Sequence, residues 1–146
     1  MAVSEEEVHM SERSNLEIVR KGYECFGNGD IPGLLELFAD DIEWTLPEVQ
    51  GAPHGGARRG KESVAEFFTT LNEVEDITHF EPSEFIAEGD RIVVLGRAKA
   101  TARSTGRSYE TDWVHVFRVT DGKVASFREH WDTAAVNRAF EKAATA

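Results

Sequence analysis

Two residues offer the clearest chemistry in this sequence. His115 lies in a β-type stretch with Trp113 and Phe117 two positions to either side. Glu129 lies in the next such stretch, between Phe127 and Trp131 at the same spacing. Alternate residues of a strand share a face, so each polar side chain is framed by two large aromatics. An imidazole and a carboxylate in an apolar hollow are suited to moving protons and mark a candidate site. Proton abstraction beside a carbonyl needs a base near the acidic C–H and a donor near the developing enolate oxygen. Glu129 can be that base, and His115 the donor or a second acid–base group. The pair can equally be a satisfied polar contact that braces a sheet.

Which side chains meet depends on the turn at Thr120-Asp121-Gly122. A two-residue loop, Asp121-Gly122, sets His115 opposite Arg128. A three-residue loop with Gly122 in the left-handed position sets it opposite Phe127. The second register gathers Trp113, His115, Phe117, Phe127, Glu129 and Trp131 on one face, with His115 and Glu129 as diagonal neighbours. It is preferred because it gives the helices a single aromatic face to cover.

Other polar residues have plainer readings. Asp132 is expected to cap a last helix. Asp40-Asp41 reads as a solvated turn, and His54, in a glycine-rich loop, as a solvated loop histidine. Arg58-Arg59 is also read as solvated. Cys25, the single cysteine, reads as a small buried hydrophobe. Tyr23 is expected to pack inward with its hydroxyl near the cavity, and Trp44 to sit in the core. His9, His79 and His130 are scattered without ligand spacing, so no metal site is expected. No phosphate loop, nucleophile elbow or flavin signature is present, so the expected chemistry needs no cofactor.

The elements that would position these groups follow from periodicity. Leu16, Val19, Tyr23 and Phe26 predict a helix over about 13–27, after a disordered lead-in over residues 1–12. A second helix is expected over about 31–38, capped by Asp30, and a short strand over about 42–46. A loop over about 48–60 and a helix over about 61–72 come next. Strands are expected near 77–87, 91–103, 108–119 and 123–131, at hairpin spacing. Segregated helices and strands define an α+β domain with helices on one face of an antiparallel sheet.

At 146 residues the chain suits one domain, taken as 13–146. Apolar residues make up 40% and charged residues 29%, ordinary globular values. The net charge of −11, with no basic run longer than a pair, argues against nucleic acid and anionic membrane surfaces as partners. No apolar run approaches the ~18 residues of a membrane span, and the acidic N-terminus is unlike a signal peptide. A cytoplasmic location is the expectation.

Gly29-Asp30-Ile31, Phe38-Ala39-Asp40-Asp41, Arg59-Gly60-Lys61-Glu62, Thr105-Gly106-Arg107, Asp121-Gly122-Lys123-Val124 and Glu129-His130-Trp131-Asp132 occur in that order. This ordered set resembles the nuclear transport factor 2-like superfamily, in its SnoaL-like polyketide cyclase and ketosteroid-isomerase-related branch. The resemblance implies a cone-shaped, curved antiparallel sheet packed on N-terminal helices, with an internal apolar pocket. It also implies a homodimer through the outer sheet face, where Val114 and Val116 lie amid polar residues.

Ketosteroid isomerases carry a general-base Asp before the proline that closes the first strand. Leu46 stands there in this sequence, so steroid isomerase activity is not expected. Their oxyanion-hole Asp corresponds to His115, and their helix-one Tyr falls at or beside Gly22-Tyr23. The arginine and first aspartate of limonene epoxide hydrolases fall at Gly96 and Ala98, which removes that reaction too. SnoaL-like cyclases use a His in the penultimate strand and an Asp in the last, and these positions match His115 and Glu129. The resemblance thus implies acid–base isomerisation or ring closure of a small hydrophobic carbonyl compound, in a pocket that Tyr23, Trp44 and Leu46 help to line. A non-catalytic module binding a small apolar ligand, and a structural dimer whose cavity its own side chains fill, are the alternatives.

Overall fold

The computed structural model describes residues 4–142. Four helices and six strands follow in the order α1 (Glu5–Gly27), α2 (Ile31–Glu36), β1 (Phe38–Leu46), β2 (Gly56–Arg59), α3 (Lys61–Val74), β3 (Glu75–Glu88), β4 (Arg91–Ala102), β5 (Ser108–Thr120), β6 (Lys123–Trp131) and α4 (Thr133–Phe140). The strands form one sheet in the order β2-β1-β6-β5-β4-β3. It is curved and does not close, and the N-terminal helices lie against it. Among the described residues no helix is long and apolar enough to cross a membrane.

Helix α1 begins at Glu5, where a disordered lead-in was expected through residue 12. Ser4 caps it by accepting from the Glu7 N–H at 3.1 Å. Glu5, Glu6 and Glu7 fill its first turn, where negative charge meets the positive end of the helix dipole. Apolar spacing misses this segment because caps and charge, not an apolar stripe, define it. Residues 1–3 of the lead-in and 143–146 of the domain lie outside the described residues.

Phe38, expected in α2, instead opens β1 and is 2% exposed. Asp40 and Asp41 therefore lie in a strand and not in a turn. The loop after β1 contains the short strand β2, which pairs antiparallel with β1. β1 also runs parallel to β6, with Trp44 beside Phe127. The sheet is antiparallel apart from this one pair. The expected caps are present: Asp30 accepts from Gly33 N–H and Asp132 from Ala135 N–H.

The β5–β6 connection takes the two-residue Asp121-Gly122 turn in place of the preferred three-residue loop, yet its register matches neither expectation. Asp121 and Gly122 both have positive φ, 52° and 76°, and Thr120 pairs with Lys123. This is a two-residue turn, which alone would set His115 against Arg128. A register shift between Arg118 and Val119 then leaves Ala125 as an extra residue in β6. The bulge returns the alternation to the aromatic face, so His115 pairs directly with Glu129, Trp113 with Trp131 and Phe117 with Phe127. The expected face is present, but the register is two residues from the expected one.

Candidate functional site

Helix α1 lies over the concave face with Val19 buried and Tyr23 pointed at the sheet. The Tyr23 hydroxyl is 2.6 Å from His115 Nδ1, and His115 Nε2 is 2.5 Å from Glu129 Oε2. Burial, with Glu129 nearby as the smaller cause, pushes the Tyr23 phenol well above its ordinary range. A carboxylate only accepts, so Nε2 carries the imidazole hydrogen and donates it to Glu129, and in the neutral imidazole the bare Nδ1 accepts from the phenol. One chain of donors runs Tyr23 to His115 to Glu129 and leaves Glu129 Oε1 as the oxygen able to meet another molecule.

Aromatic packing fixes this chain. The His115 ring stacks on Trp113 at 3.9 Å between centroids and 20° between planes. It lies nearly parallel to Tyr23 at 6° and meets Phe127 edge-on at 4.7 Å. Each such pair contributes about 0.5–1.5 kcal/mol beyond area burial. Trp113 fits because its partner on β4 is Gly96. A Cβ there would lie 2.2 Å from the indole and 2.6 Å from the Glu81 carbonyl oxygen.

An internal cavity of about 110 Å³ opens beside this chain. Its lining includes Tyr23, Trp44, Leu46, Trp113, His115, Phe117, Phe127, Glu129 and Trp131, every residue that the sequence assigned to the site. Trp44 stacks on Phe127 at 3.8 Å. For scale, an engineered apolar cavity of ~150 Å³ takes up benzene. Direct pairing of His115 with Glu129 changes one expectation: both imidazole nitrogens are already engaged, so His115 is the middle of a relay and not a free donor to substrate.

Sequence reasoning missed a second polar cluster, of which Glu75 and Tyr109 line the same cavity. Glu75 is 5% exposed, and its Oε1 accepts from the Tyr109 hydroxyl at 2.5 Å. His54, expected to be a solvated loop residue, is 1% exposed, with Nε2 3.4 Å from Glu75 Oε1. It is enclosed by Phe67, Trp131 and Phe140 because the loop after β1 folds under α4. Burial, with Glu75 as the next cause, holds the Tyr109 phenol well above its ordinary range. Strand alternation extended two steps back from Trp113 would have found Thr111 and Tyr109. Nothing in the sequence marks Glu75, which begins β3 with no loop after α3.

The remaining singled-out residues play no part in the cavity. Cys25 is buried. The Arg58 guanidinium lies over the Phe67 ring at 5.8 Å, where a solvated side chain was expected. Among the described residues no group of three or more His, Cys, Asp or Glu is placed to hold a metal ion.

A curved sheet on N-terminal helices, enclosing an aromatic cavity with a histidine and a carboxylate on adjacent strands, defines a pocket protein of the nuclear transport factor 2-like superfamily. The SnoaL-like domain family matches residues 19–127, and the chain belongs to that family. A solved NTF2-like protein from Burkholderia xenovorans is 40% identical, covers 90% of this chain and 99% of its own, and superposes with a TM-score of 0.82. An NTF2-like protein of unknown function from Burkholderia pseudomallei is 36% identical, with 88% and 98% covered and a TM-score of 0.78. TerC, co-crystallized with polyporic acid, is 32% identical, with 88% and 99% covered and a TM-score of 0.79.

Proposed function

We propose that this chain is a cofactor-free acid–base enzyme, of isomerase or cyclase type, acting on a small hydrophobic carbonyl compound. The observation that carries the reading is the Tyr23–His115–Glu129 chain, which ends on a carboxylate lining an aromatic cavity. In this reading Glu129 Oε1 removes a proton from the carbon beside the carbonyl. His115 holds Oε2 and fixes the angle of the base, and Tyr23 fixes the imidazole tautomer. The aromatic walls exclude water, which strengthens each polar contact inside. The crystals of TerC with polyporic acid support a small organic molecule as the occupant.

The test follows solvent deuterium entering the α-carbon of cyclopentanone, read by NMR. Wild type is expected to catalyse the exchange, and Glu129→Gln to slow it about 10²–10⁴-fold, the usual worth of one general base. An unchanged rate in the variant refutes the assignment of Glu129. One observation favours a binding module instead: both His115 nitrogens are already bonded, which leaves no free imidazole donor for an enolate. Binding of cyclopentanone without exchange would select that reading.

Homodimerisation through the outer face, with Val114 and Val116 at its centre, is part of the proposal. The expected interface buries on the order of 1,200–2,000 Å². Light scattering at micromolar concentration should give twice the chain mass, and a monomer would refute it.

A further inference from the structure

The inner cavity is continuous in its walls with an outer groove of about 630 Å³. Five residues line both spaces: Phe26, Phe68, Leu71, Glu75 and Ile77. They come from the end of α1, the last turns of α3 and the start of β3. Four are apolar, so Glu75 is the one charged group on this shared wall. It holds this place because α3 passes into β3 without a loop. Its backbone N–H closes the helix onto the Leu71 carbonyl, and its side chain turns inward.

We propose that Glu75 is a specificity-determining residue that reads a hydroxyl group on an aromatic ligand passing from the groove into the cavity. The inference rests on the reading of the cavity as a small-molecule site. A buried carboxylate is satisfied only by several donors. Tyr109 supplies one at 2.5 Å. His54 does not supply a second: Nε2 stays 3.4 Å away, and neither ring nitrogen completes a hydrogen bond among the described residues. The carboxylate therefore has acceptor capacity left at the shared wall. A ligand hydroxyl fills it, whereas a methyl group of equal size leaves it unfilled and buried. An anionic ligand group is repelled there.

Phenol and toluene are the probe pair, alike in size and differing in the donor, with dissociation constants read by NMR titration. Wild type is expected to prefer phenol by about 10-fold, in line with a hydrogen bond to a charged group. Glu75→Gln should shrink that preference to about 3-fold or less and leave toluene binding unchanged, because a neutral acceptor is weaker. An undiminished preference in Glu75→Gln overturns the proposal while the cavity remains a ligand site. Failure of both probes to bind wild type removes the cavity reading and this proposal together. Tyr109→Phe gives an arm independent of Glu75 folding. Removing the competing donor should strengthen phenol binding relative to toluene, and no gain would count against the proposal.

Discussion

Two sets of the same three side chains, a tyrosine, a histidine and a glutamate, stand at one cavity in different orders, with His54 alone set back from its lining. In Tyr23–His115–Glu129 the imidazole is central, and both its nitrogens are bonded. In Tyr109–Glu75–His54 the carboxylate is central, and the imidazole stands at the end without a completed hydrogen bond. Order decides what each set can do. A central imidazole fixes the direction of every proton and leaves a terminal carboxylate oriented for chemistry. A central carboxylate gathers donors and keeps capacity for one more, which suits recognition.

The largest expected effect comes from breaking the first set at its centre. His115→Leu leaves Glu129 in an aromatic wall without its donor. Loss of one partner of a buried pair costs about 3–5 kcal/mol, and urea unfolding should show a loss of that order. Gly96→Ala tests the packing behind the same set. Its Cβ displaces Trp113 or the Glu81 backbone, and overpacking of this kind costs about 1–3 kcal/mol. The melting temperature should fall by several degrees, and an unchanged value would show that the Trp113 seat is not tight.

Tyr23→Phe removes the donor to Nδ1 and should cost about 1–3 kcal/mol, the penalty for an unsatisfied buried acceptor. His54→Leu is the counterpart in the second set. With no completed hydrogen bond to lose, it should change stability by less than about 1 kcal/mol. If His54→Leu costs as much as Tyr23→Phe, the contrast between the sets is wrong.

High pH probes both sets together, because Tyr23 and Tyr109 are the chain's two tyrosines. Both phenols are raised above the ordinary tyrosine value of 10.0, chiefly by burial. The unfolded chain releases these protons near that value and the folded chain does not. Their contribution to stability is therefore full below about pH 10 and is lost as pH rises above it. Ultraviolet titration should show tyrosinate appearing only together with unfolding. Tyrosinate in the folded protein near pH 10 would contradict the burial of at least one hydroxyl.

The first set was legible in the sequence and the second was not, for a physical reason. Trp113, His115, Phe117, Phe127, Glu129 and Trp131 declare their common face by strict alternation, a property of the strand alone. Their exact pairing was not legible, because the bulge at Ala125 has no residue signature beside the Asp121-Gly122 turn. His54 and Glu75 owe their burial to tertiary placement, one in a loop under α4 and the other at a helix–strand junction. The start of α1 at Glu5 and the parallel pairing of β1 with β6 were missed on similar grounds: neither leaves an apolar period.

The direction of the hydrogen-bond chain is the central claim, and nitrogen NMR of the His115 ring tests it most directly. With Tyr23 donating and Glu129 accepting, the neutral ring must carry its hydrogen on Nε2 and leave Nδ1 bare. The predicted spectrum shows a protonated Nε2 shift and an unprotonated Nδ1 shift, and Tyr23→Phe moves the Nδ1 signal. A hydrogen on Nδ1 with a bare Nε2 would reverse the chain and leave Glu129 Oε2 without a donor. That result would contradict the account of Glu129 as an oriented base.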